Sequence, residues 1–357
     1  MAPRAKPVRN LRRQDAYSAV SSGSFAYANY WNTGSSSSNV LIEMTEPKQL
    51  DAVFIGACVV DLISYAERFP QPGETVIGNE FVMGHGGKGA NACVMATRMG
   101  LHVSLIAKVG SDKIGRDYLA YLKDIGVYTM HVKATEEKTT NATANIVVTR
   151  TGQNSIVYVP GAASYLTPDD IRLAENLIKK AKILVAVYES SKATLFEALR
   201  LARKHKVTTF VNAAPYDPSM TDDIYKLVDI LCVNETEAGH ATGLEVSNKE
   251  TAEKAAQVLL KKGCSTVIIT MGADGAGYLT NEQAKMIFVP TDRVQVEDTT
   301  GAGDAFNGAF AFHYVRHPNV SLCEMVKKAC GVATITVQAP GTQISYPECK
   351  DIPPYLL

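Results

Sequence analysis

The chain has 357 residues, 36 of them Lys or Arg and 36 Asp or Glu, so the formal net charge is zero; 46% are apolar. That balance argues against a protein built to coat nucleic acid or an anionic membrane, and no apolar run approaches the roughly 20 residues of a membrane span. The length suits two domains, or one large α/β domain with additions.

The zero conceals an asymmetry. Residues 1–42 hold Arg4, Lys6, Arg9, Arg12 and Arg13 against Asp15 alone, a net +4, which leaves −4 for the rest. This leader also holds eight serines, four of them consecutive at Ser35–Ser38. Low hydrophobicity and Ser/Gly content predict a disordered basic extension over residues 1–48. An Arg-rich, Ser-rich, acid-poor start also fits a mitochondrial transit peptide, whereas no apolar segment of a secretory signal follows the basic residues.

From about Leu50 the chain alternates strands and helices. Asp51–Val60 is a continuous apolar run, as a buried parallel strand should be. Ala90–Met99 reads as a helix ended by Gly100, followed by strand Val103–Val109 and helix Ile114–Ile125, ended by Gly126. Pro168–Ala181 reads as a helix with Thr167 as its cap. Strand Ile183–Tyr188, helix Lys192–Lys204, strands Val207–Asn212 and Ile230–Val233, helix Lys249–Lys262 and strand Thr266–Thr270 continue the rhythm. The class is therefore α/β: a central, mostly parallel sheet flanked by helices over residues 49–357. Glu74–Met83 and Ala142–Val159 instead alternate polar and apolar residues, with a turn at Thr151-Gly152-Gln153. Alternation means half-exposed antiparallel strands. They predict a small projecting β-sheet, approximately residues 68–84 and 138–160, serving as a lid or an oligomer contact; surface hairpins without function are the plainer alternative. The seven cysteines (Cys58, Cys93, Cys232, Cys264, Cys323, Cys330 and Cys349) form no C-x-x-C pair, and most lie in apolar segments. They suit a reduced, intracellular protein.

Two glycine clusters carry the chemistry. Gly84–Asn91 contains G-x-G-x-x-G, but it lacks both the buried strand before it and the acid about 20 residues later that a dinucleotide site needs. It is no P-loop either, because Lys88 is followed by Gly89 rather than Ser or Thr. Its glycines allow a polyhydroxy ligand to approach the backbone, and Asn91 adds donors and an acceptor; a tight turn capped by Asn91 is the structural alternative. The second cluster, Asp298-Thr299-Thr300-Gly301-Ala302-Gly303-Asp304, opens a helix over Ala305–Val315. Small residues at a helix N-terminus let amides face an anion. Asp304 beside them could take a proton from an attacking hydroxyl, the equipment of phosphoryl transfer. A simple N-terminal helix acid is the alternative.

These motifs, G-G-K-G-A-N at Gly86–Asn91 and D-T-T-G-A-G-D at Asp298–Asp304, with Asn234-Glu235-Thr236-Glu237 and Thr270–Gly275 in order between them, resemble the ribokinase branch of the PfkB carbohydrate kinase family. The resemblance covers roughly Leu50 to Asp351. It implies a ribokinase-like fold and ATP-dependent phosphorylation of D-ribose to D-ribose 5-phosphate. In that likeness Asp304 is the base, and Gly301, Ala302 and Gly303 form the anion hole. Asp61, Gly87, Lys88, Gly89, Ala90, Asn91 and Glu189 surround the sugar. Asn234, Thr270, Met271, Gly272, Ala273, Asp274, Gly275 and Cys330, with Gly303 and Asp304, hold ATP. Glu237 acts on Mg2+ through water. K+ sits among Asp298, Thr300, Thr336, Ala339, Gly341 and Ser345. The likeness further implies a homodimer through the lid and a cytoplasmic or nuclear location. The chain departs from the family pattern at Val59, His85, the Asn212-Ala213-Ala214-Pro215 segment and Cys330. Alternatives are a family kinase for 2-deoxyribose, a ketohexose or adenosine, and a non-catalytic sugar or nucleotide sensor on the same fold.

Overall fold

The structure, a computed structural model, describes residues 49–357. The leader, with its expected disorder or targeting role, lies outside the described residues.

Elements are numbered in chain order. Strands β1 (Ala52–Ile55), β4 (Val103–Val109), β5 (Val132–Ala134), β8 (Ile183–Val187), β9 (Thr208–Asn212), β10 (Ile230–Asn234) and β11 (Thr266–Thr270) run parallel. Antiparallel β12 (Ala276–Thr280) and β13 (Ile287–Val289) complete a nine-stranded sheet in the order β13-β12-β11-β10-β9-β8-β1-β4-β5. Its strands are apolar on both faces because helices cover both. Ala52 and Phe54 face one core; Val53 and Ile55 face the other. The first core is closed by α1 (Lys88–Arg98), α2 (Lys113–Asp124), α8 (Ala302–Arg316) and α9 (Leu322–Thr336). The second is closed by α3 (Pro168–Leu173), α4 (Glu175–Lys180), α5 (Lys192–Lys204), α6 (Glu235–Thr242) and α7 (Lys249–Lys262). Among the described residues no helix is long and apolar enough to cross a membrane.

A second sheet has the order β3-β2-β6-β7, from β2 (Val59–Ala66), β3 (Gly78–Gly86), β6 (Ala142–Thr149) and β7 (Asn154–Val159). The alternating segments do form it, with Gly152 in the turn at φ +80°. One strand of it was not expected. The run Asp51–Val60 is not a single strand: β1 ends at Ile55, and Val59 and Val60 open β2, an inner strand of the second sheet. The break has a physical cause. The Ala57 N–H leaves the sheet to donate to Glu189 at 2.9 Å, and a side chain on Gly56 would lie 2.6 Å from the Gly89 Cα. Asp61 accordingly lies inside β2. Likewise Pro168–Ala181 is two helices meeting at Ala174, although Thr167 caps the first as expected through a box with Asp170. The β12–β13 hairpin, β5, α6 and α9 carried no clear sequence signal.

Candidate active site

Asp304 stands in the first turn of α8 and is 6% exposed. Gly301, with φ +77°, turns the chain into this helix; a larger residue there would collide with Thr342. Gly301, Ala302 and Gly303 line the adjoining cleft. The first amides of a helix lack intrahelical acceptors, so this turn is a place for an anion.

Asp304 does not sit alone. Its Oδ2 accepts the Asn91 side-chain N–H at 2.8 Å. Burial raises its pKa to about 6, with Glu189 and Glu237 adding to the rise and Lys88 and the Asn91 bond opposing it. A carboxyl so placed is ionised at neutral pH yet is a stronger base than a surface aspartate. Lys88 opens α1, and the carboxylates of Asp304, Glu189, Glu237 and Asp61 keep its ammonium charged. Asp61 also has a pKa of about 6, raised by burial and by Glu189 and Asp304. A side chain on Gly86 would sit 2.5 Å from Asp61 Oδ2, so the glycine run lets this carboxylate lie against the loop.

Glu189 was expected to touch the sugar. The structure gives its two oxygens to three backbone amides: Lys88 at 2.8 Å, Ala57 at 2.9 Å and Gly89 at 3.1 Å. It therefore joins the end of β8, the start of α1 and the β1–β2 break. Gly87, at φ +95°, makes the turn between β3 and α1 where any side chain would strike the Ala57 carbonyl. Gly89 and Ala90 are buried in the same turn.

The cleft beside Asp304 has a volume of about 630 Å³. Lys88, Asn234, Glu237, Thr270, Gly272, Ala273, Gly275 and Cys330 line it. Asn234 caps α6 reciprocally with Glu237: its Oδ1 accepts the Glu237 N–H at 2.8 Å, and Glu237 Oε2 accepts the Asn234 N–H at 2.9 Å. Two expected nucleotide residues turn elsewhere. Met271 is packed into the core, and Asp274 pairs with Arg293 at 2.5 Å. Sequence reasoning missed Asn212, which lines the cleft at the end of β9 with its Oδ1 unpaired. The signal was available, because open α/β sheets bind ligands at the carboxyl ends of their strands.

Next to the anion hole, Asp298 Oδ1 accepts the Thr300 N–H at 2.9 Å, and Oδ2 accepts the Gly341 N–H at 2.9 Å. Among the described residues no backbone N–H donates to the carbonyls of Thr300, Ala339 or Gly341. Thr336 and Ser345 use their hydroxyls on nearby carbonyls. Thr300 and Gly341 thus bring their backbone to Asp298, and unpaired carbonyls would suit a weakly hydrated monovalent cation better than a small divalent ion, which demands strict geometry. Among the described residues no three His, Cys, Asp or Glu side chains converge as a metal cage. Glu237 lines the cleft and uses only Oε2 in its capping box. That fits a metal held mainly by phosphates and water.

The sequence matches the pfkB family carbohydrate kinase model over residues 49–349. The chain belongs to this family. It is 43% identical over 308 residues to a ribokinase of Mus musculus, covering 86% of this chain and 95% of that protein. It is 35% identical to a deoxyribokinase of Salmonella typhi, covering 86% and 99%. A solved Arabidopsis thaliana ribokinase, complexed with ribose and ATP, superposes with a TM-score of 0.80 at 26% identity, covering 86% and 99%. Against that family pattern the departures have local reasons. Val59 packs with Ala57, Ala142, Ala144 and Ala163 at the start of the second sheet. His85 stacks on Tyr121 with ring centroids 4.1 Å apart, and burial lowers its pKa to about 4, so it serves as a neutral aromatic. Cys330 is a buried thiol whose pKa burial raises to about 12, hence an uncharged wall of the cleft.

Proposed function

We propose that the chain transfers the γ-phosphoryl group of ATP to the 5-hydroxyl of D-ribose. The observation that carries this is the buried Asp304 carboxylate, held by Asn91 beside the glycine-lined start of α8. The identity to the mouse ribokinase supports ribose as the acceptor. Asp61 and Lys88 would bind and orient the sugar hydroxyls. Asp304 would take the 5-hydroxyl proton as the oxygen attacks the γ-phosphorus; the bond to the β–γ bridging oxygen breaks and ADP leaves. The amides of Gly301, Ala302 and Gly303 would hold the charge on the transferring group. Thr270, Gly272, Ala273 and Gly275 would hold the nucleotide.

Glu237 is the residue that would hold Mg2+ through water, and the ion would neutralise the phosphate charge. Asp298 and the carbonyls of Thr300, Ala339 and Gly341 would hold K+. The lid would pair two copies. Ile63, Val82, Ile146 and Ile156 lie in one cross-strand row over all four lid strands, on the Asp61 face, and Ile156 is 53% exposed. Unpaired cysteines favour the cytoplasm; fractionating tagged full-length chain would read nuclear entry or import by the leader.

The test is a panel of D-ribose, 2-deoxyribose, fructose and adenosine with ATP. Ribose should give the highest kcat/KM. A higher value for 2-deoxyribose would move the assignment toward the deoxyribokinase relative, and no turnover with any acceptor would overturn it.

A further inference from the structure

Behind Asp304 lies a buried chain of hydrogen bonds that the phosphoryl-transfer reading does not use. The Tyr118 hydroxyl donates to the Gly86 carbonyl at 2.7 Å. The Gln343 side-chain amide donates to the Tyr118 oxygen at 3.0 Å and to Asn91 Oδ1 at 2.8 Å. Asn91 donates in turn to Asp304. Gln343 is 3% exposed and Tyr118 fully buried, so water does not compete. The turn carrying Gln343 is pinned from outside: Arg98 donates to the carbonyls of Gln343 at 2.7 Å and Tyr346 at 2.5 Å. The Tyr346 hydroxyl reaches the Gly301 carbonyl at 2.8 Å.

The polarity of this chain is not free. A backbone carbonyl can only accept, so Tyr118 must donate to Gly86. The Tyr118 oxygen is then an acceptor, and Gln343 must present its NH2. Asn91 must therefore offer its oxygen to Gln343 and its NH2 to Asp304. Without that fixed end the Asn91 amide could rotate by 180° and offer its oxygen to Asp304, which suits the protonated acid rather than the carboxylate.

We propose that Gln343 is a positioning residue, which relays the polarity of the Gly86 carbonyl through Asn91 so that Asp304 receives an N–H, which favours its carboxylate form. This rests on Asp304 being the base. The charged and titratable groups around Asp304 are Lys88, Glu189, Glu237, Asp61, Tyr346 and Cys232. None of them belongs to the relay.

The test substitutes Gln343→Met, which keeps the volume and removes the relay, and Tyr118→Phe, which removes its anchor. Asp304 is titrated by carboxyl 13C NMR without substrates, and kcat for ribose is followed against pH. Both midpoints should rise together by about one pH unit, the scale of one charge-assisted hydrogen bond. A folded variant with an unmoved Asp304 titration overturns the relay. If that titration rises while the kcat profile stays put, the relay stands and the base assignment fails. In the unsubstituted protein the Asn91 side-chain 15N resonance should follow the Asp304 titration. A resonance indifferent to it overturns the relay whether or not the variants fold.

Discussion

The Glu189 carboxylate accepts the backbone N–H of Lys88 at 2.8 Å, while the Lys88 side chain extends toward Asp304, Asp61 and Glu237. One acid therefore fixes where a cation stands among three others. Glu189→Ala strands three amides and should cost about 2–4 kcal/mol of stability. It should also raise KM for the sugar. Glu189→Gln keeps one acceptor oxygen and should lose about half as much. Thermal unfolding and steady-state kinetics check both, and a neutral Ala variant would show that the amides find other partners.

Removing the base separates chemistry from binding. Asp304→Asn keeps the shape and should lower kcat by roughly 10²–10⁴-fold while ATP still binds. Isothermal titration with ATP and a turnover assay check it; near-normal kcat would remove Asp304 from its role.

The same carboxyl sets two pH dependences. With a folded-state pKa of about 6, activity should fall as pH drops through 6. Stability runs the other way. The folded state binds more protons than the unfolded one between about pH 4 and 6, so burial of Asp304 and Asp61 lowers stability as pH rises through that window. Asp61→Asn should therefore stabilise the fold at pH 7 by about 1–3 kcal/mol, with no gain at pH 3.5. Denaturant melts at the two pH values decide it.

Turnover should be higher in potassium than in sodium. Asp298→Ala frees the Thr300 and Gly341 amides, so the preference should shrink with it. Equal rates in the two salts would remove the cation from the site.

A charge in the apolar lid row should prevent pairing. Ile156→Glu should sediment as a monomer with its circular dichroism unchanged. A dimer that survives it lies elsewhere.

The parallel core was legible because strands buried on both faces read as unbroken apolar runs, and Lys192–Lys204, Lys249–Lys262 and Thr266–Thr270 match their elements end to end. The same signal misled at Asp51–Val60, where one apolar run serves two sheets and the break depends on Gly89 and Glu189, distant in sequence. Within the site, the structure gathers Lys88, Asn234, Glu237, Gly301, Ala302, Gly303 and Asp304, residues named by the family resemblance, on one cleft. The backbone clamp of Glu189 and the Gln343 relay could not be read, because hydrogen-bond partners separated by 100 residues or more leave no local pattern.

The division of that first run between sheets bears on how a ligand would leave. Asp61 rides on an inner strand of the second sheet, whereas Lys88 and Asp304 belong to core helices. If the second sheet swings outward, as the proposed lid, it carries Asp61 away from Lys88 and Asp304 and takes the sugar site apart. On that proposal release and opening would be a single event, and in a dimer paired through this sheet the event in one copy would be felt mechanically by the other.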